Sequence, residues 1–208
     1  MKKGGRGIFK EKDMVVLENC KKLLSKKSKT DTYFLDLHFC LEALIKRLLF
    51  IGLRLNGVQY KDAQNFLARY DPMGLKKSLN KAWELIGISL QELECYPNYQ
   101  VLYKLVFEFT SQYRNARVHD KKNKYDNKDL LELLITIDKR FIDEIRKILK
   151  EKKNADIFDK PKQFGAVTVR ERRDPEEILQ KVFNKQGRLT TESKYSIEEA
   201  RTMVTNLQ

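Results

Sequence analysis

The chain of 208 residues is long enough for one main domain with a sizeable core, and its 41% hydrophobic and 34% charged content is typical of a soluble globular protein. With only 9 glycines and 4 prolines, the composition argues against an all-β fold and predicts an all-α protein. The 42 lysines and arginines outnumber the 29 aspartates and glutamates, and the resulting net charge of +13 favours a polyanionic partner such as RNA or an acidic membrane surface.

The 3 cysteines are scattered and form no CxxC pair, so the sequence predicts neither a disulfide framework nor a zinc site. The N-terminal segment is basic and lacks the apolar run of a secretory signal. The longest apolar stretch, near residues 44–53, is broken by Lys46 and Arg47 and is too short to span a bilayer. We therefore expect a cytoplasmic protein in a reducing compartment, with no membrane partner, bound metal or cofactor.

Apolar residues recur at helical spacing in two N-terminal segments. Residues 12–27 predict a surface helix with one buried stripe. The stretch Thr30-Asp31-Thr32 offers caps for a longer core helix that ends near Asn56-Gly57. The buried stripe of this core helix is predicted to consist of Phe34, Leu37, Leu41, Leu44, Leu48 and Ile51.

The pattern between residues 59 and 98 is irregular and predicts two or three short helices. Residues 99–118 then predict one helix, before a lysine-rich segment at residues 120–128 ends it. A last long helix capped by Asp126 or Asn127 extends to about residue 153. One face of the helix at residues 99–118 is predicted to carry Leu102, Leu105, Val106, Phe109, Tyr113 and Ala116. The sequence thus predicts an up-and-down bundle of four to five helices over residues 1–153.

Residues 154–208 have a different character and are predicted to form a C-terminal appendage. Residues 164–169 could be a short extended segment, and helix starts are indicated at Asp174-Pro175-Glu176-Glu177 and at Ser196-Ile197-Glu198-Glu199. Such short amphipathic helices do not fold alone. They are expected to dock on the bundle, on a second subunit or on a partner protein.

The sequence contains 2 histidines, which limits acid–base chemistry near neutral pH. His38 lies within the core helix, where a satisfied, partly buried imidazole is the simpler interpretation. His119 follows Arg114 and Asn115. RNA cleavage without a metal needs a group that takes the proton of the 2′-hydroxyl and a fixed cation that stabilises the phosphorane, and imidazole and guanidinium suit these roles.

Residues five apart on a straight helix are separated by about 140° of rotation, so Arg114 and His119 are expected on different faces. Asn115 and His119, four apart, share a face. Arg114 could join them if the helix ends or distorts there, or if a two-fold axis brings a second copy of the motif across. A homodimer is the simplest arrangement.

The pattern Arg114-Asn115-x-x-x-His119 resembles the Arg-x4–6-His motif of the HEPN superfamily. Residues 34–46, with Glu42 ahead of Leu-Ile-Lys, resemble the long early helix of that family, so the resemblance covers roughly residues 10–150. It implies a dimeric helical bundle that places two motifs in one cleft and cleaves RNA to a 2′,3′-cyclic phosphate and a 5′-hydroxyl. His119 would act as acid–base group or orient the 2′-hydroxyl, Arg114 would bind the phosphate, and Asn115 would position one of them.

A large toxin subgroup of the family carries a tyrosine two residues after the histidine, where a partner enzyme modifies it, whereas this chain has Lys121. Glu42 could support the site by pairing with Arg114, or simply face solvent. RNA contacts are predicted for Arg117, Lys121, Lys122 and Lys124, with a solvated surface or ion pairing as the alternative. The aromatic residues Tyr33, Phe34, Phe39, Phe107 and Phe109 are expected to pack in the core.

These features predict a metal-independent endoribonuclease that acts as a toxin or antiviral defence effector, with RNA as substrate and an antitoxin or effector protein as a further partner. The alternative is a non-catalytic module of the same fold that binds RNA, a nucleotide or a partner protein. A third hypothesis is that the bundle is the scaffold of a larger assembly.

Overall fold

The structure, a computed structural model, describes residues 12–69, 74–119, 127–166, 173–183 and 195–207. Within these ranges the chain forms helices and their connections, without a strand, which confirms the all-α prediction. None of the described helices combines the length and the apolar character that crossing a membrane requires. The helices are α1 (Lys12–Ser25), α2 (Asp31–Leu55), α3 (Tyr60–Arg69), α4 (Gly74–Ile86), α5 (Leu90–Glu94), α6 (Pro97–Leu105), α7 (Ser111–His119), α8 (Lys128–Lys153), α9 (Pro175–Phe183) and α10 (Ile197–Thr205). Residues 60–94 form three short helices, within the predicted two or three, and the helix predicted over residues 99–118 is divided into α6 and α7.

Local caps define several of these helix starts as the sequence predicts. The backbone N–H of Tyr33 donates to Thr30 Oγ1 at 3.2 Å at the start of α2. Asn127 Oδ1 accepts from the backbone N–H groups of Asp129 and Leu130, both at 3.1 Å, at the start of α8. At α10, Ser196 and Glu199 form the predicted capping box, with each side chain accepting from the other residue's backbone N–H. These caps satisfy N–H groups that have no partner within the helix.

The chain divides into two compact units. The first contains residues 1–19, 42–90 and 149–188, and the second contains residues 20–41, 91–148 and 189–208. Helices α2 and α8 each contribute to both units. The sequence-based division into residues 1–153 and 154–208 follows composition and stays a prediction.

In the first unit, α2 and α4 approach each other closely. A Cβ atom added to Gly52 of α2 would lie 2.6 Å from Leu85 Cβ of α4, so only glycine fits this contact. Helix α9 packs against α3 and α4. The buried Lys81 of α4 donates from Nζ to the carbonyl oxygen of Leu179 in α9 at 3.1 Å. This appended helix therefore lies on the helices of its own unit.

In the second unit, aromatic rings from α6 and α8 form the centre of the core. Tyr99 and Tyr103 are buried, and their ring centroids lie 5.5 and 6.5 Å from that of Phe141. Helix α10 contacts α6, and Arg140 of α8 donates from Nη1 to the carbonyl oxygen of Val204 at 3.0 Å. The last described helix thus also packs on its own chain.

Two sequence-based expectations need correction. The ring of Phe39 does not pack in the core, because the residue is 44% exposed. The described part of residues 164–169 is not the expected extended segment. Phe164 ends a 3-10 turn (Pro161–Phe164), and Gly165 follows with a left-handed φ of 94°. Residues 167–169 lie outside the described part of the chain.

Candidate functional site

The helix predicted over residues 99–118 contains a π-helical turn at Val106–Thr110, between α6 and α7. A π turn holds one more residue than an α turn, so every later position is rotated by about 100° relative to the earlier face. The buried positions shift accordingly. Ala116, predicted to be buried, is exposed, whereas Arg114 and Arg117 are partly buried. The turn therefore directs both arginines of the motif toward the protein.

Buried polar groups hold this π turn. Thr110 Oγ1 lies 3.0 Å from Asp138 Oδ1 and 3.1 Å from the carbonyl oxygen of Val106. The other carboxylate oxygen of Asp138 lies 2.8 Å from His38 Nδ1. Thr110, Asp138 and His38 are all buried. Because a buried polar group without a partner is costly, this network favours the one backbone register that satisfies all three side chains. The buried His38 imidazole therefore has a hydrogen-bond partner in the core, as expected for a histidine without a catalytic role.

Arg114 lies on α7 against the exposed ring of Phe39. Its guanidinium carbon is 5.1 Å from the ring centroid, and its Nη1 donates to Asn115 Oδ1 at 2.9 Å. A cation over an aromatic face gains about 0.5–1 kcal/mol at exposed sites. Both of these contacts are with neutral groups. Together they orient the Arg114 guanidinium.

Arg117 has a different environment. Its Nε donates to Asp31 Oδ2 at 2.6 Å, and the two side chains are only 15% and 17% exposed. Asp31 is the first residue of α2, so the pair connects the second half of α7 to the start of α2. Binding of RNA by Arg117 stays a prediction, and a phosphate would have to compete with this carboxylate.

His119 is the last residue of α7, but its side chain lies outside the described part of the structure. Lys121, Lys122 and Lys124 lie outside it as well. The backbone of α7 is α-helical from Ser111 to His119, so Arg114 and His119 are separated by about 140° around the axis. The distortion of the helix lies before the motif, not within it. The exposed Asn115 bonds to Arg114 and occupies a position on the same face as His119.

Glu42 lies on α2 and is partly exposed, within the first unit. Its supporting role stays a prediction.

The start of α7 also lies near the last described helix. Burial raises the pKa of Tyr113, and the negative charge of Glu198 on α10 raises it further. The Tyr113 ring packs edge-on against Phe109, with centroids 5.0 Å apart. Tyr113 directly precedes Arg114, so Glu198 of α10 acts on the residue next to the motif. The proximity of α10 to this part of the site has no sequence signal that could have revealed it.

Within the described ranges, histidine, cysteine, aspartate and glutamate side chains form no group of three or more suited to hold a metal ion. No family model, curated protein or solved structure matches the chain. The resemblance to the HEPN superfamily therefore depends on the residues quoted from the sequence.

Proposed function

We propose that this protein is a metal-independent endoribonuclease whose active site is formed by Arg114, Asn115 and His119 from two copies of the chain. In the proposed reaction the 2′-hydroxyl of RNA attacks the adjacent phosphorus, and one His119 takes its proton. The bond from phosphorus to the 5′-oxygen breaks, the leaving oxygen takes a proton from water, and the imidazolium returns its proton to the hydroxide formed. The products are a 2′,3′-cyclic phosphate and a 5′-hydroxyl.

The observation that carries this proposal is the placement of Arg114. Negative charge builds on the non-bridging oxygens of the phosphorane, and a fixed guanidinium stabilises it most when little reorganisation is required. The Phe39 ring and the Asn115 amide orient the Arg114 guanidinium through neutral contacts. Arg117, three residues later, is paired with the Asp31 carboxylate. The orientation of the Arg114 guanidinium by Phe39 and Asn115 supports its assignment to the phosphate.

The charge of the chain supports RNA as the substrate. A net charge of +13 raises the affinity for any polyanion, and Lys121, Lys122 and Lys124 directly follow the motif in sequence. We assign these lysines, with Arg117, to contacts with the RNA backbone. Such contacts position a strand without selecting its sequence.

The homodimer belongs to the same proposal. A regular α7 separates Arg114 and His119 by about 140°, so one helix does not bring both side chains onto one phosphate. A two-fold axis near the end of α7 would place Arg114 of one copy beside His119 of the other. Following the HEPN resemblance, we assign the enzyme to a toxin or antiviral defence system in the cytoplasm, controlled by an antitoxin or effector partner protein.

The test is digestion of RNA in excess EDTA, with mass spectrometry of the cleaved ends. Arg114→Ala and His119→Ala are each expected to lower the cleavage rate by about 100-fold or more, since each removes a general acid–base or charge-stabilising group. Arg146→Ala is the matched control, because Arg146 is a partly exposed α8 residue outside the site. Circular dichroism of each variant checks that the fold is intact.

A mixture of the two inactive variants tests the composite site. A heterodimer of Arg114→Ala with His119→Ala retains one arginine and one histidine on opposite copies, so partial recovery of cleavage is expected on mixing. Full activity in either single variant would refute the site assignment. An absence of cleavage together with tight RNA binding would instead support the non-catalytic binding module.

A further inference from the structure

A cavity of about 500 Å³ is lined by residues of the first unit. Its lining residues differ from those assigned above to RNA cleavage. The end of α2 and the start of α3 form one side of it through Arg54 and Tyr60. The segment after α8 also contributes to the lining, with Lys160, Pro161, Lys162 and Gly165. This volume is within the range of sites for small organic ligands.

Among the described residues that line this cavity, the ionisable side chains apart from the Tyr60 phenol are cationic: Arg54, Lys160 and Lys162. Arg54 Nη1 donates to the carbonyl oxygen of Val58 at 2.6 Å, which fixes the direction of its guanidinium. Three cations around one concave surface favour an anionic ligand, and phosphate is the anion that lysine and arginine commonly bind in proteins.

Tyr60 gives the cavity a flat aromatic wall. The residue is 49% exposed although it is a large aromatic side chain. Its ring packs against the buried Phe50 ring at an interplanar angle of 84°, with centroids 5.3 Å apart. This contact supports the phenol ring on one side. A fixed and exposed ring is a surface on which a nucleobase can stack.

Hydrogen bonds within the first unit hold the part of the lining that follows α8. Arg47 Nη2 donates to the carbonyl oxygen of Asp159 at 3.0 Å, directly before Lys160. The backbone N–H of Ala166 donates to the carbonyl oxygen of Pro161 at 3.2 Å and closes the turn. The left-handed φ of 94° at Gly165 allows this turn. The site is therefore largely formed before a ligand binds.

We propose that this cavity binds a nucleoside phosphate, with the base stacked on Tyr60 and the phosphate held by Lys160, Lys162 and Arg54. An acidic peptide would satisfy the cations but would leave the exposed ring without a planar partner. The proposal does not depend on ribonuclease activity. The ligand is either a free nucleotide or the phosphorylated end of a nucleic acid strand, which present the same chemistry.

The experiment uses the full-length protein and isothermal titration calorimetry with two probes, adenosine 5′-monophosphate and ribose 5-phosphate. Tyr60→Leu is expected to weaken binding of the nucleotide about tenfold and to leave ribose 5-phosphate unaffected, because only the nucleotide carries a base. The double variant Lys160→Gln/Lys162→Gln is expected to weaken both probes about tenfold. The matched control is Lys77→Gln/Lys181→Gln, which removes two exposed lysines of the same unit from outside the cavity.

Competition with a deoxytrinucleotide then identifies the source of the ligand, because this probe lacks the 2′-hydroxyl needed for cleavage. Competition that requires its 5′-phosphate and equals that of the nucleotide indicates the end of a strand, and weaker competition indicates a free nucleotide. Equal affinity for adenosine 5′-monophosphate in all variants would overturn the proposal, and so would no binding at millimolar concentration. Equal binding of the two probes to the wild-type protein would overturn the role of Tyr60 in stacking. Loss of RNA cleavage in the Arg114 and His119 variants leaves each of these outcomes unchanged.

Discussion

Replacing the buried Lys81 with methionine is expected to change the stability of the first unit with a sign that depends on pH. Lys81 is buried on α4, and burial lowers its pKa from 10.5 to about 8. Below pH 8 the amine is charged in both the folded and the unfolded chain, so the folded state bears the full cost of desolvating it. As the pH rises from 8 to 10.5, the folded state loses this proton first, and the wild-type protein becomes more stable.

The expected magnitude follows from the same two pKa values. Each pKa unit corresponds to about 1.4 kcal/mol, so the desolvation cost below pH 8 is about 3 kcal/mol. Methionine removes this cost but also removes the hydrogen bond to the Leu179 carbonyl, which contributes about 1 kcal/mol. Lys81→Met should therefore raise the free energy of unfolding by about 2 kcal/mol at pH 7 and lower it by about 1 kcal/mol above pH 10.5.

Urea unfolding followed by tryptophan fluorescence provides the assay. The chain has 1 tryptophan, Trp83, which is buried on α4 two residues after Lys81 and so reports on the first unit. Other groups titrate equally in both proteins, so the difference between them isolates Lys81. Lys77→Met, at an exposed position of the same helix, is the control and should show no such dependence. A difference that stays constant from pH 7 to pH 11 would refute the reasoning.

Three further predictions follow from the packing and from the candidate site. Asp138→Ala should lower the free energy of unfolding by about 3 kcal/mol in urea titrations, because it leaves the buried polar groups around the π turn without their shared acceptor. A loss below 1 kcal/mol would contradict this view of the network. Gly52→Ala should cost about 1–3 kcal/mol in thermal unfolding, since its Cβ would overlap Leu85 Cβ, and a stability equal to wild type would show that α2 and α4 separate easily. Phe39→Ala should reduce the rate of RNA cleavage about three-fold and leave the stability unchanged, because it removes one exposed cation–π contact with Arg114. Unchanged cleavage would remove Phe39 from the site.

The candidate site combines features that differ in how far the sequence predicts them. The motif from Arg114 to His119 can be read directly, and the regular backbone of α7 retains the separation of about 140° that the spacing predicts. The exposure of Phe39 cannot be read in this way, because its position on α2 is flanked by the buried His38 and Cys40. Its aromatic character alone assigns Phe39 to the core, although it is not part of the predicted apolar stripe, whereas its contact with Arg114 occurs at the surface.

The cavity in the first unit illustrates the same limit. Arg54 and Tyr60 are a hundred residues or more before Lys160 and Lys162, and none of these residues stands out in a Lys-rich sequence. Only folding places them around one space. The orientation of the exposed Tyr60 ring depends on its edge-on contact with Phe50, which is a tertiary contact.

The sequence by itself determines the all-α class, the long periodic helices and the helix starts at Thr30, Asn127 and Ser196. The helix starts depend on side chains that bond to backbone groups two or three residues away, so this information is local. The tertiary structure alone decides the π turn and the direction of Arg114 and Arg117. The physical reason is that Thr110 finds its buried acceptor on Asp138, 28 residues later, and the backbone takes the register that satisfies this distant bond.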